Sequence, residues 1–140
     1  MNRSQALQQA LAAEHAIVYG YGVVGAHLRG TGRKRALTAL RVNEQRRDLL
    51  DAEIRKTGAT PLAPLAAYGL PFPVTDAVSA KRLAVQLEEG GAGAAWDLIA
   101  ASTGSSRDRD RTLAIDWLRE AAARITEWGG SVPALPGQPT

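Results

Sequence analysis

Ala16-Ile17-Val18-Tyr19-Gly20-Tyr21-Gly22-Val23-Val24-Gly25 contains a literal G-x-G-x-x-G behind four apolar residues that could form a strand. Glu44 lies at about the right distance downstream to complete a dinucleotide-binding fingerprint, which cradles a pyrophosphate at a helix N-terminus. That fingerprint requires a strand on each side, and neither neighbour supplies one. Upstream, Ser4 to His15 reads as helix with no breaker before Ile17. Downstream, Ala36-Leu37-Thr38-Ala39-Leu40 has no β-branched run, and no later segment alternates strand with helix. The glycines are therefore expected inside a helix, where each costs about 0.5–1 kcal/mol relative to alanine. Close approach by a neighbouring backbone or ring would offset that cost.

Working outward, Ser4 can cap a first helix. Its seam reads Leu7, Leu11, Glu14, Val18, Tyr21, Gly25 and Leu28, in alternating steps of four and three. Gly30-Thr31-Gly32 ends it. A second helix is expected from Arg33 to Thr57, stopped by Gly58, with Leu37, Leu40, Leu50 and Ile54 inward. By spacing, Glu44 and Arg47 share the side of Leu37, Leu40 and Ile54.

Residues 59 to 75 hold Pro61, Pro64, Pro71 and Pro73 and cannot form a regular helix. Leu62, Leu65, Tyr68, Leu70, Phe72 and Val74 make the same segment apolar, so it predicts a strap packed along the domain. Phe72, the only phenylalanine, is expected to fill a groove between helices. Asp76 or Ser79 can cap a third helix running to Ser102, with Leu83, Leu87, Ala94, Ala95, Leu98 and Ile99 inward. After a turn at 103–106, a fourth helix runs from Asp108 to Trp128, with Leu113, Trp117, Leu118, Ala121, Ile125 and Trp128 inward. Gly129-Gly130 stops it. One long crossover between the second and third helices is the connectivity of a ferritin-like four-helix bundle. The all-α domain is expected over residues 1–130, with 131–140 a mobile tail.

Composition narrows the function classes. The chain has 140 residues, 45% hydrophobic but only 5% aromatic, which suits one close-packed helical core. Seventeen basic residues against fourteen acidic give +3. The basic residues are dispersed, unlike the continuous face of a nucleic-acid binder. No cysteine is present, which removes disulfides and thiolate chemistry. The longest apolar run, Ala16 to Ala26, is short of the about 20 residues a membrane span needs. A cytoplasmic protein with no membrane or nucleic-acid partner is the expectation. A homodimer is also expected, since alanine faces suit contact.

The candidate site is a polar cluster at mid-bundle. A di-iron bundle projects one Glu from each of two helices and Glu-x-x-His from each of the other two. Here Glu14 lies on the first helix, Glu44 on the second, Glu88 on the third and Glu120 on the fourth. These would be the ligands of a di-iron or di-manganese centre. Neither Glu-x-x-His motif is present. The only histidines, His15 and His27, are both on the first helix, and Arg47 stands three residues after Glu44. A fixed positive charge conflicts with a metal. The residues therefore predict a metal-free cluster of Glu14, Glu44, Arg47, Glu88 and Glu120, with Glu14 paired to Arg47.

Leu11-Ala12-Ala13-Glu14-His15-Ala16, Tyr19-Gly20-Tyr21-Gly22-Val23-Val24-Gly25-Ala26 and Tyr68-Gly69-Leu70-Pro71-Phe72-Pro73-Val74-Thr75-Asp76, followed by Leu87-Glu88-Glu89, resemble an uncharacterised bacterial ferritin-like family, a domain of unknown function. The resemblance extends to about Trp128. It implies a ferritin-like bundle and carries no activity. A metal-free binding or interaction module is the function expected, with a histidine-poor di-metal carboxylate protein as the alternative.

Overall fold

In a computed structural model the chain folds into α1 (Arg3–Ala26), α2 (Gly30–Lys56), α3 (Ala77–Ala101) and α4 (Asp108–Glu127). The structure describes residues 1–102 and 108–132. The expected turn at 103–106 lies outside them, as does the expected tail from residue 133 onward.

Side-chain caps set the starts of α1 and α3. Asn2 Oδ1 accepts from the Gln5 amide at 2.9 Å, and Gln5 Oε1 accepts from the Asn2 amide at 3.0 Å. This reciprocal box satisfies two orphan donors, so the cap falls on Asn2 rather than Ser4. Asp76 and Ser79 form a second such box at the start of α3, with Ser79 N–H donating to Asp76 Oδ1 at 2.8 Å. Gly30 takes φ +56° and starts α2 three residues before the expected Arg33. Gly58 and Gly129, at φ +85° and +88°, follow α2 and α4 in the left-handed region that glycine favours.

α1 packs against α2 and α3, and α3 packs against α4. The glycine motif lies within α1, as the missing strands require. A Cβ on Gly20 would come within 2.6 Å of a Leu87 methyl, and one on Gly91 within 3.2 Å of Ile17. These small residues bring α1 and α3 close together. Among the described residues, no Cα of α2 comes within 8 Å of one in α4. That seam is bridged by long side chains instead.

The core is divided. One apolar cluster includes Leu7, Leu11, Leu50, Ile54, Leu98 and Leu118. The other includes Ile17, Tyr21, Val24, Leu28, Leu83 and Trp128. Between them along each helix lie Glu14, Asn43 with Arg46, Glu88, and Arg124. The polar residues thus form a layer across the middle of the bundle.

On α2 the inward stripe is Ala36, Ala39, Asn43, Arg46, Leu50 and Ile54, not the expected leucine-led one. Leu37 is 40% exposed. Alanines face α1 because they permit close approach, and the bulkier leucine turns outward. On α1, Ile17 takes the buried position expected for Val18 for a similar difference of phase.

The crossover lies along α1 but does not bury its leucines. Gln8 Nε2 donates to the Thr60 carbonyl at 2.8 Å, and Gln8 Oε1 accepts from the Leu62 amide at 2.9 Å. His15 Nε2–H donates to the Leu62 carbonyl at 3.0 Å, and the rings of Tyr19 and Tyr68 sit 5.6 Å apart. These polar contacts and the tyrosine pair hold the strap together with Phe72 and Val74, which pack against the Tyr21 cluster. Leu62 and Leu65 remain 52% and 66% exposed, contrary to expectation. Phe72 is half-buried rather than enclosed, packed against the Tyr21 cluster with the Arg82 guanidinium 4.5 Å from its ring centre.

A candidate functional site at mid-bundle

Glu14 and Glu88 project inward from α1 and α3 and are 4% and 2% exposed. Asn43 and Arg46 meet the same layer from α2, at 0% and 7%. From α4, Arg124 donates through Nε to Oε1 of Glu88. Its Nη2 stands 3.9 Å from Glu120 Oε2. Arg46 Nη2 donates to the same Glu120 oxygen, across the α2–α4 seam. The Arg46 guanidinium lies over the Trp117 ring, 5.2 Å from its centre. On the side of the layer away from Leu7 and Leu50, Trp128 Nε1–H donates to the Tyr21 hydroxyl at 3.2 Å.

The layer is incompletely satisfied. Among the described residues, Glu14 Oε2, Asn43 Oδ1, Arg46 Nε and Arg124 Nη2 are buried without a hydrogen-bond partner from the protein. Two are acceptors and two are donors. Burial raises the Glu14 pKa to about 8, against the lowering pull of Arg46 and with a further push from Glu88. Near neutral pH its carboxyl therefore holds its proton. Burial also raises Glu88, opposed chiefly by Arg124. Burial works against the Arg124 charge, but Glu88 and weaker neighbours more than offset it.

The expected Glu14–Arg47 pair does not form. Arg47 lies half-buried on a different face of α2 and pairs with Asp48 at 3.0 Å. Arg46 takes the inward place, and Glu14 has no ion-pair partner among the described residues. Glu44 is likewise half-buried, outside the inward stripe. Glu120 lies at the mouth, with its side chain 50% exposed. Of the expected cluster, only Glu14 and Glu88 occupy the buried layer. Asn43, Arg46 and Arg124 were missed. Arg124 follows the seam steps Trp117, Ala121, Arg124 and Trp128, so the spacing rule that located Glu14 also reaches it. Arg46 is reached the same way once Ala36 and Ala39 start the α2 stripe.

The residues present do not fit a di-iron or di-manganese centre. Two guanidinium groups enter the level where a metal pair needs anions. His15, the nearer histidine in sequence, is bonded to the crossover. Among the described residues, no group of three or more His, Asp or Glu side chains is placed to hold a metal ion. No described helix is long and apolar enough to cross a membrane.

Fold and centre together define an all-helical four-helix bundle with a buried guanidinium–carboxylate layer. The chain belongs to the family described as Domain of unknown function (DUF4439), whose model matches residues 6–140. It is similar to the crystal structure of a conserved hypothetical protein, rv2844, from Mycobacterium tuberculosis. The two share 35% identity with a TM-score of 0.84, over 91% of this chain and 94% of that one. No curated protein matches the chain.

Proposed function

We propose that this protein is a metal-free binding module built on a ferritin-like scaffold, with its ligand site at the polar layer. The observation that carries this reading is the unsatisfied pair of buried donors, Arg46 Nε and Arg124 Nη2. Buried polar groups are ordinarily paired, and an unpaired donor costs about 1–3 kcal/mol. A ligand acceptor would remove that cost. The crossover between α2 and α3 is the ferritin-like connectivity, here furnished with arginines where metal-binding relatives of that scaffold place carboxylates and histidines. The test is metal content. Untagged protein from cells grown with excess iron and manganese should carry far less than one metal per chain. Stoichiometric metal, lost in Glu14→Gln, would establish the di-metal alternative instead.

The exposed leucines of the crossover extend this reading to oligomeric state. Leu62, Leu65 and Leu70, at 52%, 66% and 36% exposed, offer an apolar surface to a second copy of the chain. Light scattering after size exclusion should report a dimer, and Leu65→Glu should return it to monomer. A monomeric wild type would remove the homodimer from the proposal.

A further inference from the structure

The seam between α2 and α4 is the one described face where neighbouring helices leave room between their backbones. Two recesses adjoin along it. The lower, about 320 Å³, is floored by Leu7, Leu50 and Leu98, with the half-buried Leu49 and Leu113 as walls. Glu53, Arg109, Asp110, Thr112 and Asp116 stand around its rim. The upper, about 380 Å³, shares Leu49 and is lined by Arg46, Trp117, Glu120 and Arg124. A leucine-floored recess with a charged rim therefore borders, at Leu49, an arginine pair flanked by an aromatic ring. Apolar pockets with a few convergent polar groups are the usual form of a small-molecule site.

We propose that this seam binds a medium-chain fatty carboxylate. The ligand carboxylate replaces that of Glu120 on Arg46 and Arg124, and the alkyl chain runs past Trp117 into the leucine recess. The inference rests on the metal-free binding reading and supplies its ligand class.

Three observations point to this occupant. First, Arg46 is 7% exposed and lines the upper recess, yet its Nε–H has no hydrogen-bond partner among the described residues. Second, the anion now on the arginines comes from a side chain that is 50% exposed. Glu120 can rotate into water and stay solvated, so it blocks the site only weakly. Third, the charges select a monoanion. With Glu14 protonated, Arg46 and Arg124 face Glu88 and Glu120, two positive charges against two negative. Replacing Glu120 by one carboxylate keeps that balance, whereas a dianion such as phosphate does not. The size of the chain follows from volume. An apolar cavity of ~150 Å³ houses one benzene ring. The leucine recess is about twice that volume, so it suits roughly eight to twelve carbons.

Isothermal titration of the full chain with acetate, hexanoate, octanoate and decanoate, kept below their micelle concentrations, tests the proposal. Decanoate should bind saturably at one per chain. Each added methylene should tighten Kd by about three- to fourfold, and acetate should give no measurable heat. Glu120→Gln removes the internal competitor's charge and should tighten decanoate binding several-fold. Leu113→Trp, at a half-buried wall position, should weaken decanoate at least tenfold while circular dichroism stays that of the wild type. Decanol should bind at least tenfold more weakly than decanoate. The proposal is overturned if neither wild type nor Glu120→Gln binds decanoate, if affinity is independent of chain length, or if decanol matches decanoate. Metal content separates the two levels. A metal-free protein that ignores decanoate defeats this inference alone, whereas stoichiometric metal defeats the binding-module reading beneath it.

Discussion

The Arg124 guanidinium donates through Nε to Oε1 of Glu88, a carboxylate only 2% exposed between α3 and α4. This ion pair crosses the interface at the boundary of the two apolar clusters. Removing one member of a buried pair leaves the other charge stranded, and the cost is typically about 3–5 kcal/mol. Arg124→Met should therefore lower the urea midpoint strongly. Glu88→Gln should be milder, because Glu120 Oε2 remains 3.9 Å from Arg124. The double variant Glu88→Leu with Arg124→Met should recover at least half of the Arg124→Met loss, since an apolar pair of similar size fills the gap. An additive double variant would mean that the two charges do not interact.

Glu14 gives the protein an unusual pH dependence. Its carboxyl has the ordinary value of 4.5 when unfolded and about 8 in the fold. Between those values the native state keeps a proton that the unfolded chain has released. Stability from this group is therefore complete below about pH 4.5 and is lost as pH rises toward 8, by up to about 1.4 kcal/mol per unit. Glu88, also raised by burial, acts in the same direction. Urea midpoints at pH 5.5, 6.5, 7.5 and 8.5 should fall steadily for the wild type. Glu14→Gln, neutral throughout, should flatten most of the slope. A wild-type midpoint that rises over this range would place an ionised Glu14 beside a cation.

Much of this architecture was legible because it depends on strong local signals. Gly58 and Gly129 marked the ends of α2 and α4, and the four–three spacing of Leu7, Leu11 and Glu14 carried the buried carboxylate. The α2 face was misread for a definite reason. Leu37 and Leu40 are the bulkiest apolar residues there, but Ala36 and Ala39 face the core because α1 lies so near. Alanine contributes little to a periodicity, so the error of phase moved the inward charge from Arg46 to Arg47. The crossover was misjudged differently. Its leucines imply burial by composition, yet prolines hold the chain extended and its backbone is anchored by Gln8 and His15. Nothing local in the sequence signals a polar anchor supplied by a helix about fifty residues away. The arginine pair arises only when α2 and α4 face each other, which is a property of the assembled bundle.

Phe72 should matter less than its uniqueness suggests. The ring is half-buried and shares its exposed face with the Arg82 guanidinium 4.5 Å from its centre. Phe72→Ala should cost about 1–2 kcal/mol, the partial loss of its apolar burial with a cation–π contact of about 0.5–1 kcal/mol. Arg82→Gln should reproduce only the cation–π portion. A loss of 3 kcal/mol or more in Phe72→Ala would show the ring enclosed by the bundle.

The two glycines that open the apparent dinucleotide motif should respond to alanine to different extents. Gly22 is exposed within α1, and a Cβ there would meet nothing within 4 Å. Gly22→Ala should stabilise by about 0.5–1 kcal/mol, because alanine gives up less conformational freedom in a helix. Gly20 faces α3, where its Cβ would stand 2.6 and 2.7 Å from the two Leu87 methyls. The overlap is with the far end of the half-buried Leu87 side chain, which can rotate aside, so it offsets part of the helical gain and Gly20→Ala should stabilise less than Gly22→Ala. In a Leu87→Ala background the overlap is gone, and Gly20→Ala should then stabilise as Gly22→Ala does. Urea melts of the four variants decide the matter. Equal gains at Gly20 and Gly22 in the wild-type background would mean that α1 and α3 do not approach this closely, and that the glycine at position 20 serves some purpose other than packing.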